Sequence, residues 1–323
     1  MTTASSAKDA AGSGLGGAMP RKLALPGVFL GLLAIATAIS PSFLSVSNMQ
    51  DILTQAAPLM IVVIGQTFVI LVRGLDLSVA SLMATVAVMA TAFNTQDDAM
   101  IPVIFVSAIV LCAFVGFING WLVTKRNVSP FLATLAMMIV LQGLRFYYTQ
   151  GAPAGVLPEG FRFIGTGKFL GIPINVIGFL ILFLVLTFVL QKTVFGRKIF
   201  MVGGNPTSAD LVGVNARNVT IACYMICSIM AGLAGLLLVG FVGTVDNFVG
   251  RGYELDSIVA AVVGGVALSG GKGNLLGAVL GALILVVLFN IVIIIGLPVQ
   301  AQLVIKGVII IGAAALFARN MRG

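Results

Sequence analysis

Long apolar runs, separated by short polar breaks, dominate this chain. Ten are visible, at 26–42, 52–71, 78–95, 101–122, 130–148, 172–191, 218–240, 255–269, 275–296 and 299–318. A helix crosses the hydrocarbon core of a bilayer with about 20 residues, so most of these runs match one crossing each. The third and eighth are short for a full crossing. The runs are continuously apolar rather than alternating, which excludes the strands of a transmembrane barrel. The predicted fold class is all-α, a polytopic helical membrane protein with about ten transmembrane helices.

Start signals agree with several boundaries. Pro26 suits the first turn of a helix, as do Pro130 and Pro173 at the starts of their runs. Ser47 followed by Gln50 reads as a capping box opening the second run. Asp76 or Ser78 caps the third. Pro58 lies inside the second run and is expected to kink it.

Composition supports the membrane assignment. Hydrophobic residues make up 59% of the 323, charged residues 9%, and mean hydropathy is +1.16. Soluble domains carry about 25% charge, and so few charges cannot build a water-soluble shell. Nucleic-acid binding, disulfide scaffolds and wholesale disorder are excluded with it. There is no histidine, so histidine metal sites and proton relays are absent. Cys112, Cys223 and Cys227 all lie in apolar runs and read as packing residues, although Cys223 and Cys227 are one helical turn apart.

The charges that do occur set the orientation. With the N-terminus in the cytoplasm, the inner segments hold Lys8, Arg21, Lys22, Arg73, Lys125, Arg126, Lys192, Arg197, Lys198, Arg217, Lys272, Arg319 and Arg322. The outer side holds Arg145, Arg162, Lys168 and Arg251. An even number of crossings puts both termini in the cytoplasm, as this bias requires. Residues 1–22 are expected to be a disordered cytoplasmic tail and 23–323 the transmembrane domain. The stretch 21–40 has the basic start and apolar centre of a signal peptide, yet it serves as an ordinary first crossing.

Candidate chemistry is sparse. No G-x-x-x-x-G-K-[ST] loop exists. Ser269-Gly270-Gly271-Lys272-Gly273 lacks the leading glycine and has glycine where a magnesium-binding hydroxyl is needed. The chain is therefore not expected to hydrolyse nucleotide. None of the ten acidic residues falls in mid-membrane, where ion-coupled transporters usually place them. The polar groups inside the runs are mostly neutral: Gln66, Thr67, Asn119, Thr134, Gln142 and Asn290. Amides and hydroxyls suit a path for an uncharged polyhydroxylated solute, and each alone is equally an interhelical hydrogen bond. Lys306 lies in the last run and either snorkels to the surface or faces an internal cavity. Gly116 with Gly120, Gly277 with Gly281, and Gly232 with Gly235 mark close helix packing.

Three loops stand out. Arg73-Gly74-Leu75-Asp76-Leu77-Ser78 and Ser269-Gly270-Gly271-Lys272-Gly273-Asn274 each turn sharply between neighbouring runs. Gly65 and Gly74 share their spacing with Gly264 and Gly273, a hint of a duplicated helix–turn–helix unit. In the segment 192–217, Asn205 is placed to cap a short helix, Pro206 suits its first position and Gly213 its end.

These features together resemble the ribose-type permeases of bacterial ABC sugar importers, from near Pro41 onward. The carrying strings are Gly65-Gln66-Thr67-Phe68-Val69-Ile70 leading into Gly74-Leu75-Asp76-Leu77-Ser78-Val79, then Gly203-Gly204-Asn205 through Gly213-Val214-Asn215. Gly252-Tyr253-Glu254-Leu255-Asp256-Ser257-Ile258 and Gly270-Gly271-Lys272-Gly273 complete the set. The chain departs from the common pattern at Arg73, often Gly or Ser, and at Ala80, often Gly. The added charge at Arg73 is expected either to pair with Asp76 or to alter its loop.

The resemblance implies a permease subunit in the bacterial inner membrane, importing a monosaccharide or related solute. It implies a separate ABC ATPase subunit that holds ATP and Mg, a periplasmic sugar-binding protein and a second permease copy, as a homodimer. The segment near 203–215 then becomes the ATPase-coupling loop, with Gly204, Asn205, Ala209, Asp210 and Gly213 as its candidates. Gln66, Thr67, Asn119, Gln142, Asn290 and Lys306 are the substrate-path candidates. Asp246, Arg251, Glu254 and Asp256 are candidates for docking the binding protein, although Glu254 and Asp256 also suit the positive N-terminal end of a helix. No catalytic or metal site is expected. The alternatives are an ABC permease for branched-chain amino acids or nucleosides, and an ion-coupled carrier acting alone.

Overall fold

The computed structural model describes residues 21–152, 155–298, 300–301, 303–305 and 307–308. Among them are twelve α-helices. These are α1 (Arg21–Ile39), α2 (Val46–Leu71), α3 (Val79–Ala92), α4 (Ile101–Lys125), α5 (Pro130–Thr149) and α6 (Glu159–Thr166). They continue with α7 (Ile174–Lys192), α8 (Val194–Gly204), α9 (Pro206–Leu211), α10 (Ala216–Val242), α11 (Tyr253–Val263) and α12 (Leu275–Ile294). The β-structure is one antiparallel pair of two-residue strands, Lys168–Phe169 with Ile172–Pro173. Among the described residues, six helices are long and apolar enough to cross a membrane: α2, α4, α5, α7, α10 and α12. The chain is an all-α, multi-pass membrane protein.

The first nine apolar runs each contain a helix; the tenth, 299–318, and Lys306 with it, lies largely outside the described residues. Three boundaries differ from the sequence reading. Helix α1 begins at Arg21, so Pro26 sits inside it rather than opening it. Helix α2 is capped by Ser45, whose hydroxyl accepts from Asn48 N–H at 3.3 Å, and not by a Ser47–Gln50 box. Gln50 instead reaches across the fold to Gly171 O (2.8 Å) and accepts from Lys168 Nζ (2.6 Å). The eighth run yields only the 11 residues of α11, after which the chain turns at Gly264 and Gly265. At 1.5 Å per residue, α11 spans about 16 Å, half a bilayer core.

Helices α2 and α10 form the centre. Helix α10 packs on α4, α2 and α3, and α2 also packs on α7, α11 and α12. Helix α2 is almost entirely enclosed, whereas α4, α5 and α7 turn most of their surface outward. Small residues make this closeness possible. A Cβ at Gly65 would meet Cys227 Cα at 2.9 Å, and one at Gly116 would meet Met225 Cα at 2.7 Å. The Gly116/Gly120 and Gly277/Gly281 pairs thus serve contacts within the chain, against α10 and α11 respectively. Cys112, Cys223 and Cys227 are free and buried in the same core.

Candidate functional site

Polar chemistry concentrates in two places. The first is the junction where the 72–78 turn meets the end of α8 and the turn between α11 and α12. The 72–78 turn has no regular backbone ladder, so side chains from surrounding helices must satisfy its main chain. With its amide oxygen and nitrogen interchanged, the orientation its neighbours require, Gln66 brackets Asp76, donating to its carbonyl and accepting from its N–H, both at 3.2 Å. Tyr224 OH and Thr134 Oγ1 donate to Leu75 O at 3.3 and 3.4 Å. The Asp76 carboxylate accepts from Ser78 N–H (2.9 Å) and Ser78 Oγ (2.5 Å), and Asn119 Nδ2 donates to Ser78 Oγ at 3.0 Å. Ser78 therefore occupies the cap position just before α3 without capping it through its side chain, because its hydroxyl is committed to Asp76. Asp76 is fully buried, and its Oδ2 and Asn119 Oδ1 have no hydrogen-bond partner. Burial pushes the Asp76 carboxyl up from 3.8 to about 6, against the Ser78 and Asn119 hydrogen bonds that pull it down.

Arg73 links this turn to α8. It does not pair with Asp76: its Nε donates to Gly203 O at 2.7 Å and its Nη2 donates to Gly204 O. Those carbonyls end α8 and lack intrahelical donors, and the negative end of the helix dipole favours a cation there. Arg73 holds this position at φ +65, a conformation glycine adopts more easily. Beside it, Gly271 N–H donates to Leu71 O at 2.9 Å. A Cβ on Gly203 would overlap Leu71 O and lie 2.5 Å from Gly271 N. The three loops singled out by sequence therefore meet at one point.

Helix α9 stands beyond that point. Asn205 Oδ1 caps it by accepting from Ser208 N–H (3.1 Å), Pro206 opens it, and Gly213 follows it at φ +82, as the sequence predicts. Asp210 Oδ1 accepts from Ala216 N–H at 2.9 Å, fastening α9 to the start of α10. Ala209 is a correction: at 2% exposure it packs inside this chain and has no outward face for a partner. The outward apolar residues are Leu211 and Val212, 84% and 66% exposed. Sequence reasoning missed them, since one apolar pair in a six-residue helix carries no periodic signal.

The second place is a cavity of about 310 Å³ between α3, α5 and the segment preceding α11. Ala80, Ser81 and Ala84 form one wall; Met138, Gln142 and Arg145 occupy successive turns of α5; Asn247, Phe248, Val249, Arg251 and Glu254 close it. Arg145 is 5% exposed, and its Nη1 donates to Ser81 O (2.9 Å) and Thr85 Oγ1 (3.3 Å). Its buried Nε has no hydrogen-bond partner. Gln142 is exposed to the cavity. A larger hollow, about 650 Å³, lies on the outward face of α4, but its lining from Pro102 to Phe114 is almost wholly apolar and suits lipid tails rather than a polar solute.

The predicted site residues divide accordingly. Gln66, Thr67 and Asn119 are fully buried, with Thr67 Oγ1 bonded to Val63 O at 2.7 Å; they brace helices and reach no cavity. Asn290 is half-buried, and its buried Oδ1 has no partner. Among the described residues, Gln142 is the one path candidate that lines the polar cavity, together with Arg251 and Glu254 from the docking set. Asp246 Oδ1 accepts from Phe248 N–H (2.7 Å) and Glu254 Oε2 from Gly252 N–H (2.9 Å). Arg251 stacks over the Phe248 ring at 5.5 Å. Asp256 is 7% exposed in the first turn of α11, the helix-end placement rather than an outward one. Arg145 and Asn247 were not singled out. Arg145 reads as a flanking charge at the end of its run, and only its burial against α3 distinguishes it.

Known proteins resemble this chain along most of its length. The model of the branched-chain amino acid transport system / permease component family matches residues 48–314. The ribose import permease protein of Escherichia coli K12 is 38% identical over 285 residues, 87% of this chain and 88% of that protein. The ribose import permease protein of Bacillus subtilis is 38% identical over 296 residues, covering 90% and 91%. The galactose/methyl galactoside import permease protein of Escherichia coli K12 is 36% identical over 310 residues, covering 90% and 91%. No solved structure matches the chain. With the family model covering all the loops described above, the chain belongs to the branched-chain amino acid transport system / permease component family, and its likeness within it is to the ribose-type sugar permeases.

Proposed function

We propose that this chain is the membrane-spanning permease subunit of an ATP-driven ABC importer for a monosaccharide or related polyhydroxylated solute. The observation that carries this is the near full-length likeness to ribose and galactose import permeases. In this reading about ten helices cross the bacterial inner membrane, with both termini in the cytoplasm. A separate ATPase subunit holds ATP and Mg, a periplasmic protein delivers the sugar, and a second permease copy completes the path.

The junction supports a coupling role. Leu211 and Val212 offer an exposed apolar tip, and a recess beside it is lined by Asp210, Gly213, Val214, Asn215 and Arg217. Push or pull on that tip has two short routes into the bundle, through Asp210 to α10 and through Gly203, Gly204 and Arg73 to α2. Closure of the ATPase pair would thereby reach both central helices. The path and docking roles of Gln142, Arg251 and Glu254 belong to the same proposal.

Leu211→Arg tests it. The side chain is exposed, so membrane levels should stay normal while the ATPase subunit no longer co-purifies and ATP-driven uptake is lost. A helix resting on lipid headgroups tolerates arginine, so full uptake by this variant would overturn the docking assignment. Branched-chain amino acid transport, named by the family description, is the second reading. Ligand screening of the cognate binding protein separates it from sugar import.

A further inference from the structure

Helix α10 is 27 residues long, about 40 Å, and reaches well past a bilayer core. Helix α11 returns from the opposite side over only about 16 Å. The turn at the end of α11 lies against Leu71, beside the α8–α9 junction, because Gly271 N–H donates to Leu71 O. The start of α11 therefore sits near mid-depth, and the segment from 243 to 252 must descend into the bundle to meet it. The contacts trace the descent: Asn247 Nδ2 donates to Thr149 Oγ1, the last residue of α5, at 3.0 Å, whereas a Cβ on Gly250 would meet Met83 Sδ, inside α3, at 2.9 Å. Irregular backbone at membrane depth is tolerated where it is buried in protein or lines a water-filled cavity, and broken helices at mid-depth are where transporters bind solutes.

We infer that the cavity between α3, α5 and the 243–252 segment is a sugar-binding station within the permease, with Gln142, Arg145, Asn247 and Glu254 as its polar contacts. This deepens the sugar-import reading and rests on it. Three observations support the assignment. At about 310 Å³ the cavity is at the small end of ligand pockets, which run from about 300 to 1,000 Å³. A buried cation in a membrane helix with an unpartnered Nε marks a functional site by default. Its charges also balance: Arg145 and Arg251 share the lining with Glu254, and Asp246 acts on Arg145 from just outside it, so the site favours a neutral solute rich in donors and acceptors over an anion.

Gln142 is the cleanest probe, since it is exposed and the structure gives it no hydrogen bond to lose. In proteoliposomes holding permease, ATPase and saturating sugar-loaded binding protein, Gln142→Ala should lower uptake at least about tenfold. ATPase co-purification and binding-protein-stimulated hydrolysis should stay within about twofold. Unchanged uptake overturns the inference. So does a defect erased by excess binding protein, since that outcome makes this surface a docking face. A second measurement uses Gln142→Cys, whose thiol is accessible where the three native cysteines are buried. D-ribose or D-galactose should slow its modification by a small polar thiol reagent. Protection by L-leucine alone keeps the station but overturns the sugar reading; protection by none of the three overturns the station.

Discussion

The junction and the cavity use polar residues in opposite ways. At the junction, side chains are spent on the protein's own backbone: Gln66 on Asp76, Tyr224 on Leu75, Arg73 on the end of α8. The two junction atoms without a partner, Asp76 Oδ2 and Asn119 Oδ1, are fully enclosed, whereas Gln142 opens unmatched on the cavity beside a partly matched Arg145. A polar group paired inside the fold holds a shape, whereas one left open at membrane depth is poised to take a ligand. Mutations should separate the two, affecting stability in the first region and transport in the second.

The largest expected effect on stability is at Asp76. Asp76→Ala strands the Ser78 N–H and hydroxyl, which both donate to the lost carboxylate. Each buried unsatisfied donor costs about 1–3 kcal/mol. Thermal melting in detergent should fall clearly for Asp76→Ala and not for Asp76→Asn, which keeps an acceptor at Oδ1. Gln142→Leu should leave melting unchanged while stopping uptake. A Gln142→Leu protein as unstable as Asp76→Ala would erase the contrast between the regions.

Arg73 gives a smaller effect and tests the link between turn and coupling helix. Hydrogen bonds to a charged donor are worth about 1.5–3 kcal/mol in favourable cases, and exposure of the guanidinium lowers this. Arg73→Ala removes both bonds to α8 but keeps a side chain at φ +65. Arg73→Gly removes the same bonds and relieves the left-handed conformation, worth about 1–2 kcal/mol. Arg73→Gly should therefore melt above Arg73→Ala, and both should move less sugar per ATP than the parent. Equal coupling in all three proteins would show that the link transmits nothing.

How far these two regions were legible in the sequence differs for a physical reason. Apolar runs set the helices, and turn chemistry at Asn205, Pro206 and Gly213 was local enough to read directly. The convergence of three loops on Leu71 was not readable, because Gly203 and Gly271 are 68 residues apart and only packing brings them together. Burial was the other hidden quantity. Gln66 and Gln142 look alike as lone amides in apolar runs, yet one is enclosed and paired while the other opens on a cavity. Ala209 is enclosed and Leu211 exposed, a distinction the sequence hides because a six-residue helix shows its buried face only against a neighbour. The half-length of α11 was visible as a short run, but its consequence, a descending 243–252 segment, needs the position of its far end.

The smallest effect concerns pH and again belongs to the junction. Asp76 Oδ2 and Asn119 Oδ1 are both acceptors without a donor. Protonating Asp76 turns one acceptor into a donor. The cation of the same turn, Arg73, is engaged with Gly203 O and Gly204 O, and burial and hydrogen bonds alone set the Asp76 carboxyl. The carboxyl is raised from 3.8 to about 6 in the folded protein, so the native state retains a proton that the unfolded chain has already released. Its stabilising contribution is complete below 3.8 and is lost as pH rises through about 6. Between pH 5 and pH 7 the native state should lose about 1 kcal/mol from this group. Asp76→Asn carries the extra donor at every pH. Its melting temperature should therefore stay level across that interval, while the parent falls and ends below it. Parallel curves for the two proteins would mean that Asp76 does not titrate there, and that its second oxygen is satisfied by something other than a proton.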